Sequence, residues 1–495
     1  MNIVDILSRQ AVERSDSAAL VLLDKTVSYG ALDTLVWNAA TKLHRIGIRT
    51  GDVVAISFEN QFAALIAMLA TARIGATVFS VPPNTPAAQR KSAQARVGAS
   101  FALTDSTTRD VDGVRTVNLD SRELTEPKEA MATGIGDESP QAPFLIVTGS
   151  GSTGEPKAFA ITHKQFHARA KFTAASVGLS PTDRVMSFHR IDFTSPKERY
   201  LAALYAGAAI VLIEASRFNP MAICQDLGVT VISATVFHLE SLLASIPENA
   251  LEAFGSVRVL LVGASTVSES LRRRAFQKIG KTLYVRYATN ETGLISIARP
   301  EGLPGCPGTV GYPWSGVSVE VVDGNGSITP RGVSGHIRVR SPGMVHAYLN
   351  DERATQTAFK EEWFYPGDLG TITADGQLVH LGRSDQMMIM NGINIYPAEI
   401  EQVLSLHPAV RDVAALSLKS EVHQDIPICA VTIDPAHGTT ESELVEFSRE
   451  HLGSRAPKAI VILRAIPRNE QGKLIRALTI RDVVEKIKAL RPATG

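Results

Sequence analysis

The chain has 495 residues, 44% hydrophobic and 20% charged, and its 50 Lys and Arg balance 50 Asp and Glu to a formal net charge of +0. This length predicts about two to four structural units. The balanced charge excludes both the basic surface of a nucleic-acid-binding protein and an acidic tail. Cys224, Cys306 and Cys429 lie far apart, which indicates neither a zinc site nor a disulfide scaffold and favours a reducing cytoplasm.

The N-terminal region predicts neither a signal peptide nor a membrane span. Charged residues interrupt its first apolar positions, whereas a signal peptide needs a continuous apolar region. The most apolar stretch, residues 62–82, carries Arg73 and Gly75 near its middle and changes periodicity there. We therefore expect a buried helix followed by a strand, in a protein that stays in the cytoplasm.

Helix and strand patterns then alternate along the chain. Residues 29–47 place Leu32, Val36 and Leu43 on one helical face, and Gly47 is positioned to end that helix. Short β-branched runs follow, in "DVVAISF", "RVMSFHR", "AAIVLI", "VTVISAT", "VRVLLVG" and "TLYVRYA". This alternation is typical of parallel α/β sheets.

Two later changes of pattern predict further units. From about Gly305 onward, closely spaced strands and Gly/Pro turns indicate an antiparallel sheet or barrel. After Arg383, Pro397 opens a helical pattern within a small α+β unit. We expect a large α/β N-terminal domain with a β-barrel-like part over residues 1–384, and a small C-terminal α+β domain over residues 385–495.

A loop rich in Gly, Ser and Thr, residues 149–157, lies between two predicted strands. Gly149 and Gly154 have the spacing of a Walker A loop, but that motif needs Lys and then Ser or Thr directly after the second glycine. Here Glu155 and Pro156 follow Gly154, and Lys157 leads into a strand. A P-loop NTPase is therefore rejected, and the loop alone is compatible with a phosphate clamp or an ordinary surface turn.

Further polar clusters favour the phosphate clamp. "YATNETG" follows a predicted strand, and open α/β sheets bind ligands at carboxyl ends of strands. There Tyr287 could stack on a base and Glu291 could hold Mg²⁺. Asp368, in "WFYPGDLG", could accept hydrogen bonds from two ribose hydroxyls, and Lys473 lies on a glycine turn near the C-terminus.

In this order, these segments resemble the adenylate-forming superfamily of acyl-CoA synthetases, nonribosomal-peptide adenylation domains and luciferases. The resemblance extends over nearly the whole chain, from "VSYGALDTLVWNAATKLHRIGIRTGDVVAI" to "PRNEQGKLIR". It implies ATP, Mg²⁺ and coenzyme A, or phosphopantetheine on a carrier protein, as cofactors. It also implies a small carboxylic acid as substrate.

The resemblance assigns roles residue by residue. The loop up to Lys157 would hold ATP phosphates, Tyr287 would pack on adenine, and Asp368 and Arg383 would contact ribose. Glu291 would bind Mg²⁺, and Lys473 would approach the carboxylate and the α-phosphate. The expected nucleotide- and cofactor-binding residues are Gly149, Ser150, Gly151, Ser152, Thr153, Gly154, Lys157, Gly263, Ala264, Ser265, Tyr287, Asn290, Asp368, Arg383 and Gly392.

The chain departs from the common family pattern at several positions. Gly149, Asn290 and Pro366 each stand where Thr is usual, and Ala158 stands where Gly often follows the lysine. The lysine often found after the hinge is missing from "QMMIMNG". None of these changes removes a charge that adenylation needs, and Asn290 can still donate a hydrogen bond through its amide.

Three functions remain open. "NGINIYPAEIE" is similar to the form found in CoA ligases, which favours an acyl- or aryl-CoA ligase. A free-standing enzyme that loads a separate carrier protein is the alternative, because no carrier motif follows Lys473. A non-catalytic nucleotide- or acyl-binding protein is disfavoured, because the charged residues of the motifs are intact.

The acid-binding pocket is less well determined. Candidate wall residues are His189, Asp192, Ala234 and Phe237, together with residues 263–265, although core packing explains each position equally well. Amino-acid-activating relatives pair an aspartate of this region with the substrate amine, so Asp192 could take that role. An aromatic or medium-length apolar acid is the first expectation, and an amino acid is the second.

The resemblance also implies a mobile C-terminal domain that turns about Asp385. One orientation would present Lys473 for adenylation, and the other would present the Gly392 segment for thioester formation. The same active site would thus be completed by two faces of one domain.

Overall fold

The structure is a computed structural model. It describes residues 2–105, 114–119, 124, 139–149, 157–213, 219–247, 250–420, 422–434, 437–469 and 474–490.

Helices in the described ranges, in chain order, are α1 Asp5–Glu13, α2 Tyr29–Ile46, α3 Gln61–Ile74, α4 Ala87–Val97, α5 His163–Ser176, α6 Thr194–Ala206, α7 Pro220–Leu227, α8 Val236–Ser245, α9 Glu269–Lys278, α10 Glu352–Ala358, α11 Pro397–Leu404, α12 Glu441–Leu452 and α13 Arg476–Leu490.

Strands in the same ranges are β1 Ala18–Val21, β2 Thr26–Ser28, β3 Val53–Ser57, β4 Thr77–Ser80, β5 Phe101–Thr104, β6 Arg115–Asn118, β7 Pro143–Gly149, β8 Lys157–Thr162, β9 Arg184–Ser187, β10 Ala209–Val211, β11 Val231–Thr235, β12 Val259–Gly263, β13 Leu283–Thr289, β14 Gly293–Ala298, β15 Tyr312–Pro313, β16 Ser318–Val322, β17 Gly335–Arg340, β18 Phe359–Lys360, β19 Trp363–Phe364, β20 Asp368–Ile372, β21 Leu378–Arg383, β22 Met388–Met390, β23 Ile393–Ile395, β24 Val410–Ser420, β25 Gln424–Ile433 and β26 Ala459–Ile462.

Two largely parallel sheets form the first part of the fold, as the alternating patterns predict. One has the strand order β6-β5-β3-β4-β7-β8, with β8 antiparallel at its edge. The other has the order β15-β14-β13-β12-β11-β9-β10-β1-β2, in which β2, β14 and β15 are the antiparallel strands. The carboxyl ends of β9, β11, β12 and β13 therefore lie along one edge of the second sheet.

Helix α3 confirms the interpretation of the most apolar stretch. Every residue of α3 is buried, the Asn60 side chain caps its first turn by accepting from the amide of Ala63, and Gly75 ends it at φ +83°. Strand β4 follows directly. Among the described residues, none of the helices combines the length and the apolar character that crossing a bilayer requires.

The second part is antiparallel, also as predicted. Strands β18, β19, β17, β20 and β21 pair in that order, and β16 pairs with β17. Ile337, Val339 and Leu378 of this sheet pack with Tyr287 and Ile295 of the β13–β14 hairpin in one buried cluster. The antiparallel sheet thus lies directly against the hairpin that carries the "YATNETG" motif.

The C-terminal residues form a separate five-stranded sheet with its own core. Its order is β23-β22-β25-β24, with β26 parallel to β25, and Pro397 begins α11 as predicted. Tyr396 contacts the preceding sheet through its hydroxyl, 3.1 Å from the Ser334 hydroxyl. Gln402 packs over Gly308, where a Cβ would lie 2.3 Å from its side-chain nitrogen.

Gly311 provides a test of the close approach between β14 and the segment before β15. Its φ is +79°, and a Cβ there would lie 2.0 Å from the carbonyl oxygen of Ile297. Gly326 has a similar φ of +83° but open space around its Cβ position. We expect Gly311→Ala to lose about 1–3 kcal/mol of stability beyond the loss in Gly326→Ala, because backbone atoms must move. Urea unfolding followed by circular dichroism measures both, and equal losses would contradict this packing.

Candidate functional site

The "YATNETG" motif spans a tight hairpin turn. Tyr287 to Thr289 still belong to β13, Gly293 begins β14 at φ +73°, and residues 290–292 connect them. The Thr289 hydroxyl accepts from the amide of Thr292 at 3.1 Å and closes the turn. Because the hairpin lies at the carboxyl end of β13, the turn is held at the edge of the sheet where open α/β folds bind ligands.

Tyr287, Asp368 and Arg383, to which the resemblance assigns contacts with one nucleotide, lie together at this edge. The Tyr287 hydroxyl donates to Oδ2 of Asp368, and Nη1 of Arg383 lies 3.4 Å from Oδ1. His380, which sequence reasoning missed, places Nε2 3.5 Å from the same carboxylate and its ring 5.2 Å from the Tyr287 ring. Asp368 is the first residue of β20, directly after Gly367 at φ +79°.

The cluster keeps a buried carboxylate ionised. Burial alone would raise the pKa of Asp368, but hydrogen bonds from His380 and Tyr287 and the charge of Arg383 outweigh it and hold that pKa below its ordinary value. Burial, followed by the charge of Asp368, raises the pKa of Tyr287 well above its ordinary value. Asp368 is therefore an acceptor, and Tyr287 a donor, throughout the neutral pH range.

A second group joins the end of the Gly/Ser/Thr loop to the hairpin turn. Nζ of Lys157 lies 5.0 Å from the centre of the Tyr348 ring, and the Tyr348 hydroxyl donates to Oε1 of Glu291 at 3.0 Å. Gly149, the last residue of β7, pairs with Lys157, the first residue of β8, so the loop lies between two strands as predicted, and these strands are antiparallel. Ser150, Gly151, Ser152, Thr153 and Gly154 lie outside the described residues.

Arg169 of α5 binds the backbone of the hairpin turn. Its guanidinium donates at 2.8 Å to the backbone carbonyls of Asn290, Glu291 and Gly343, and its side chain is 1% exposed. Sequence reasoning missed Arg169. Its position in the helix could have identified it. Arg169 lies on the same face as Phe166, Ala170 and Thr173, which are all buried, and a charged side chain on a buried face needs partners inside the protein.

Of the predicted acid-pocket residues, His189 and Asp192 lie in the loop after β9, whereas Ala234 and Phe237 lie at the end of β11 and the start of α8. The His189 ring centre is 4.6 Å from that of His238 and 5.5 Å from that of Phe193, while the Phe237 and His238 rings are 5.7 Å apart. Burial lowers the pKa of both His189 and His238 to about 4, so both imidazoles are neutral at neutral pH. Phe237 is half-exposed, and Ala234 is buried near the end of β11.

Asp192 already has partners within the chain. Its carboxylate is buried and accepts from Nε of Arg190 at 2.8 Å. Nζ of Lys197 donates to the carbonyls of Asp192 and Phe193 at 2.7 and 3.2 Å, and burial lowers the pKa of Lys197 to about 7. The charges of "SPKER" thus lie inside the protein, and Lys197 among them holds the end of the 188–193 loop.

Residues 263–265 follow the carboxyl end of β12. A Cβ at Gly263 would lie 2.9 Å from the carbonyl oxygen of Arg286, so glycine permits the close approach to β13. Ala264 has φ +72°, an unusual backbone conformation for a residue other than glycine, and it is exposed with Ser265. These residues border the same sheet edge as the hairpin turn.

The remaining predicted residues belong to the C-terminal part. Asp385 lies just after Arg383 in a short 3₁₀ turn, with Nε of Arg383 3.5 Å from its carboxylate. Gly392 is exposed in the β22–β23 turn at φ +78°, and its Cβ position is open. Lys473 lies outside the described residues.

Comparison with known proteins identifies relatives over nearly the whole chain. A family model described as AMP-binding enzyme matches residues 7–349, and one described as AMP-binding enzyme C-terminal domain matches residues 399–473. The 4-coumarate–CoA ligase 4 of Arabidopsis thaliana is 26% identical, and the alignment covers 96% of this chain and 89% of that protein. The 2-succinylbenzoate–CoA ligase of Bacillus subtilis (strain 168) is also 26% identical, covering 95% and 96%.

Another relative is much longer than this chain. The probable non-canonical nonribosomal peptide synthetase CymA of Salinispora arenicola (strain CNS-205) is 27% identical over 99% of this chain, which corresponds to 6% of that protein.

Solved structures agree with these relatives. The O-succinylbenzoate coenzyme A synthetase MenE from Bacillus subtilis, in complex with AMP, has a TM-score of 0.84 and 26% identity over 95% of this chain and 97% of that chain. Its complex with ATP and magnesium ion has the same TM-score, with 25% identity over 96% and 99% of the two chains. The predicted family and the predicted α/β fold class are confirmed.

Tyr287→Phe tests the ionised state of Asp368. The variant removes one donor from a charged acceptor, which should cost about 1.5–3 kcal/mol of stability. The pKa of Asp368 is depressed in the folded protein, so its stabilising contribution is present above its ordinary pKa of about 3.9 and is lost as pH falls through the folded pKa. Urea unfolding from neutral to acidic pH measures this. The difference in stability between the wild-type protein and Tyr287→Phe should be largest at neutral pH and should shrink as pH falls.

Tyr312→Phe is the matched control. The Tyr312 hydroxyl donates to Asp375 at 3.0 Å, but that pair is exposed to solvent, so its loss should lower stability much less. Equal losses in the two variants, or a Tyr287→Phe loss that does not change with pH, would contradict the role of Tyr287 in keeping Asp368 ionised.

Proposed function

Because the chain belongs to the AMP-binding enzyme family, we propose that it activates a carboxylic acid with ATP, releases pyrophosphate, and transfers the acyl group to the thiol of coenzyme A. One observation carries this proposal. Lys157, Glu291, Asp368 and Arg383 come from separate segments, and the fold gathers them around Tyr287 and the turn that follows β13.

In this proposal the nucleotide binds between the hairpin turn and the antiparallel sheet. Tyr287 packs on adenine, and the ionised carboxylate of Asp368 accepts from ribose hydroxyls with Arg383 beside it. Gly149 to Lys157 wrap the phosphates, and the amide of Asn290 donates to them. The exposed residues Ala264 and Ser265, with Gly263, border the nucleotide at the end of β12.

The donor set around Glu291 fits Mg²⁺ delivered with ATP. Among the described residues, no group of three or more His, Cys, Asp or Glu is arranged to hold a metal by itself. Mg²⁺ is commonly bound through one or two carboxylates together with substrate phosphates, and Glu291 offers one partly buried carboxylate beside the Tyr348 hydroxyl. Bound there, Mg²⁺ would neutralise phosphate charge while Glu291 orients it.

The chemistry then needs little proton transfer. An ionised carboxylate attacks the α-phosphorus, the new O–P bond forms, and the bond to pyrophosphate breaks, giving the acyl adenylate. Lys473 and Lys157 offset the negative charge that this encounter concentrates. The thiol next loses its proton to solvent and attacks the acyl carbon; a C–S bond forms, the acyl C–O bond breaks, and AMP leaves with the bridging oxygen.

The surroundings of Asp192 support an acid without an amino group. An amine would have to compete with Arg190, which already pairs with the Asp192 carboxylate at 2.8 Å. The aromatic residues around His189, with half-exposed Phe237, suit an aromatic or medium-length apolar acid. An amino acid stays the second candidate.

The acyl acceptor has an alternative. A free-standing adenylation enzyme would load the acyl group onto phosphopantetheine of a separate carrier protein, and the match to part of CymA favours keeping this candidate. The form of "NGINIYPAEIE" supports coenzyme A.

We also propose the division into residues 1–384 and 385–495, with Asp385 as the hinge, and a cytoplasmic location.

Pyrophosphate exchange with a panel of carboxylic acids tests adenylation. We expect ATP labelling that depends on one class of acid and on Mg²⁺, and exchange with no acid would overturn the proposal. Glu291→Gln should raise the Mg²⁺ requirement or abolish exchange, because the neutral amide is a weaker Mg²⁺ ligand. Unchanged activity of this variant across a Mg²⁺ titration would remove Glu291 from the metal site.

The two half-reactions can be separated with variants of the C-terminal domain. Lys473→Ala should lose about two to three orders of magnitude in adenylate formation, yet still convert a supplied acyl adenylate to thioester. Gly392→Leu should form adenylate and stall before thioester, because a side chain fills the approach to the pantetheine arm. Each product is measured by chromatography.

Gly326→Leu controls for backbone strain, since Gly326 has nearly the same φ as Gly392 in an equally open turn. It should leave both half-reactions intact. Equal loss of both steps in Lys473→Ala and Gly392→Leu, with normal circular dichroism, would exclude domain alternation.

A further inference from the structure

The side chain of Arg169 connects three segments that are distant in sequence. It leaves the middle of α5 and donates through Nε to the carbonyl of Gly343, through Nη1 to that of Asn290, and through Nη2 to that of Glu291, each at 2.8 Å. The amide of Val345 donates to the Glu291 carbonyl as well, at 2.9 Å. The turn that presents the Glu291 carboxylate is thus tied to the helix below it and to the 343–345 segment beside it.

Two glycines make room for this arginine. A Cβ at Gly293 would lie 2.9 Å from Cγ of Arg169, and a Cβ at Gly343 would lie 2.8 Å from the same atom. Both distances are shorter than packed carbon atoms allow, so any larger residue would displace the arginine stem. The hairpin and the neighbouring segment are therefore shaped around the side chain.

A buried carboxylate fixes the guanidinium from the other side. Oε1 of Glu198 lies 3.5 Å from Nη1 of Arg169, and Oε2 lies 2.7 Å from Nη2 of Arg286. Nη1 of Arg199 lies 3.6 Å from the same Oε2. All four side chains are almost fully buried, so these charges interact with little screening by water or salt.

We propose that Arg169 is a positioning residue for the metal-binding step: it holds the Asn290–Glu291 turn so that the Glu291 carboxylate meets Mg²⁺ bound to ATP. This inference rests on the proposed function. A planar guanidinium presents five N–H donors in a fixed fork, which suits three carbonyls that approach from different directions. A lysine keeps the charge opposite Glu198 but cannot span all three acceptors.

Arg169→Lys in the full-length chain tests this geometry. We expect the half-saturating Mg²⁺ concentration in pyrophosphate exchange to rise about 10–100-fold, as for other residues that orient a metal ligand. The KM for the acid should stay within about twofold, because Arg169 does not contact that substrate in the proposal. Electron paramagnetic resonance of Mn²⁺, titrated with a non-hydrolysable ATP analogue, measures the same affinity without turnover.

Gly343→Ala tests position with Arg169 left in place. Gly343 has no positive φ, so alanine adds no backbone strain, but its Cβ would push the stem of Arg169. We expect weaker Mn²⁺ binding in the same direction as in Arg169→Lys. Unchanged Mn²⁺ affinity in both variants would overturn the inference.

Arg272→Lys is the matched control for a buried arginine. Arg272 is 2% exposed and also donates to three backbone carbonyls, those of Leu303, Cys306 and Thr309, at 3.5, 3.3 and 3.0 Å. It should lower the thermal unfolding temperature much as Arg169→Lys does, while Mn²⁺ affinity stays unchanged. Equal changes of Mn²⁺ affinity in the two variants would reduce the role of Arg169 to general stability.

A double variant separates this inference from the proposed function. If Arg169 acts through Glu291, adding Arg169→Lys to Glu291→Gln should weaken Mn²⁺ binding no further. Additive effects would overturn the inference while the function stands. If the wild-type protein shows neither pyrophosphate exchange nor nucleotide-dependent Mn²⁺ binding, the proposed function and this inference fail together.

Discussion

The organisation of the site depends on one buried charge, the guanidinium of Arg169. Without internal acceptors, a charge at this depth would cost several kcal/mol. Here its cost is offset by three backbone carbonyls and the carboxylate of Glu198, which come from three different parts of the chain. The need to satisfy this one group therefore fixes α5, α6, the β13–β14 turn and the 343–345 segment relative to one another.

A second cluster, formed by Tyr287, Asp368 and His380, connects the antiparallel sheet to the site. Tyr287 belongs to the largely parallel sheet, Asp368 and His380 belong to β20 and β21, and the three side chains meet where the two sheets contact. Because an ionised carboxylate at this depth needs donors from both sheets, the contact between the sheets and the protonation state of Asp368 depend on each other. The ribose-binding role proposed for Asp368 uses the same charge.

Regular patterns made much of the fold predictable from sequence. The apolar face and the terminal Gly47 predicted α2, and the long apolar run predicted the buried helix α3. Short β-branched runs predicted β9 to β13. The motif residues 287, 368 and 383 could be assigned to one site only through the resemblance to the adenylate-forming superfamily, which gives all three a contact with the nucleotide. The partners of Arg169 could not be predicted, because they are distant in sequence and depend on side-chain directions that periodicity does not contain. The partner of Asp192 is only two residues away, but the pairing depends on the conformation of an irregular loop, which periodicity does not contain either.

Buried arginines near the turn after β13 give the site a local excess of positive charge. The chain has a formal net charge of zero, so any positive potential at the site must be local. Around the turn after β13, Arg169, Arg199 and Arg286 surround the single carboxylate of Glu198, with Glu291 as the next acid. In the proposed reaction an anionic acid and a polyphosphate meet beside this turn, and a local excess of buried cations supplies charge there with little screening by salt.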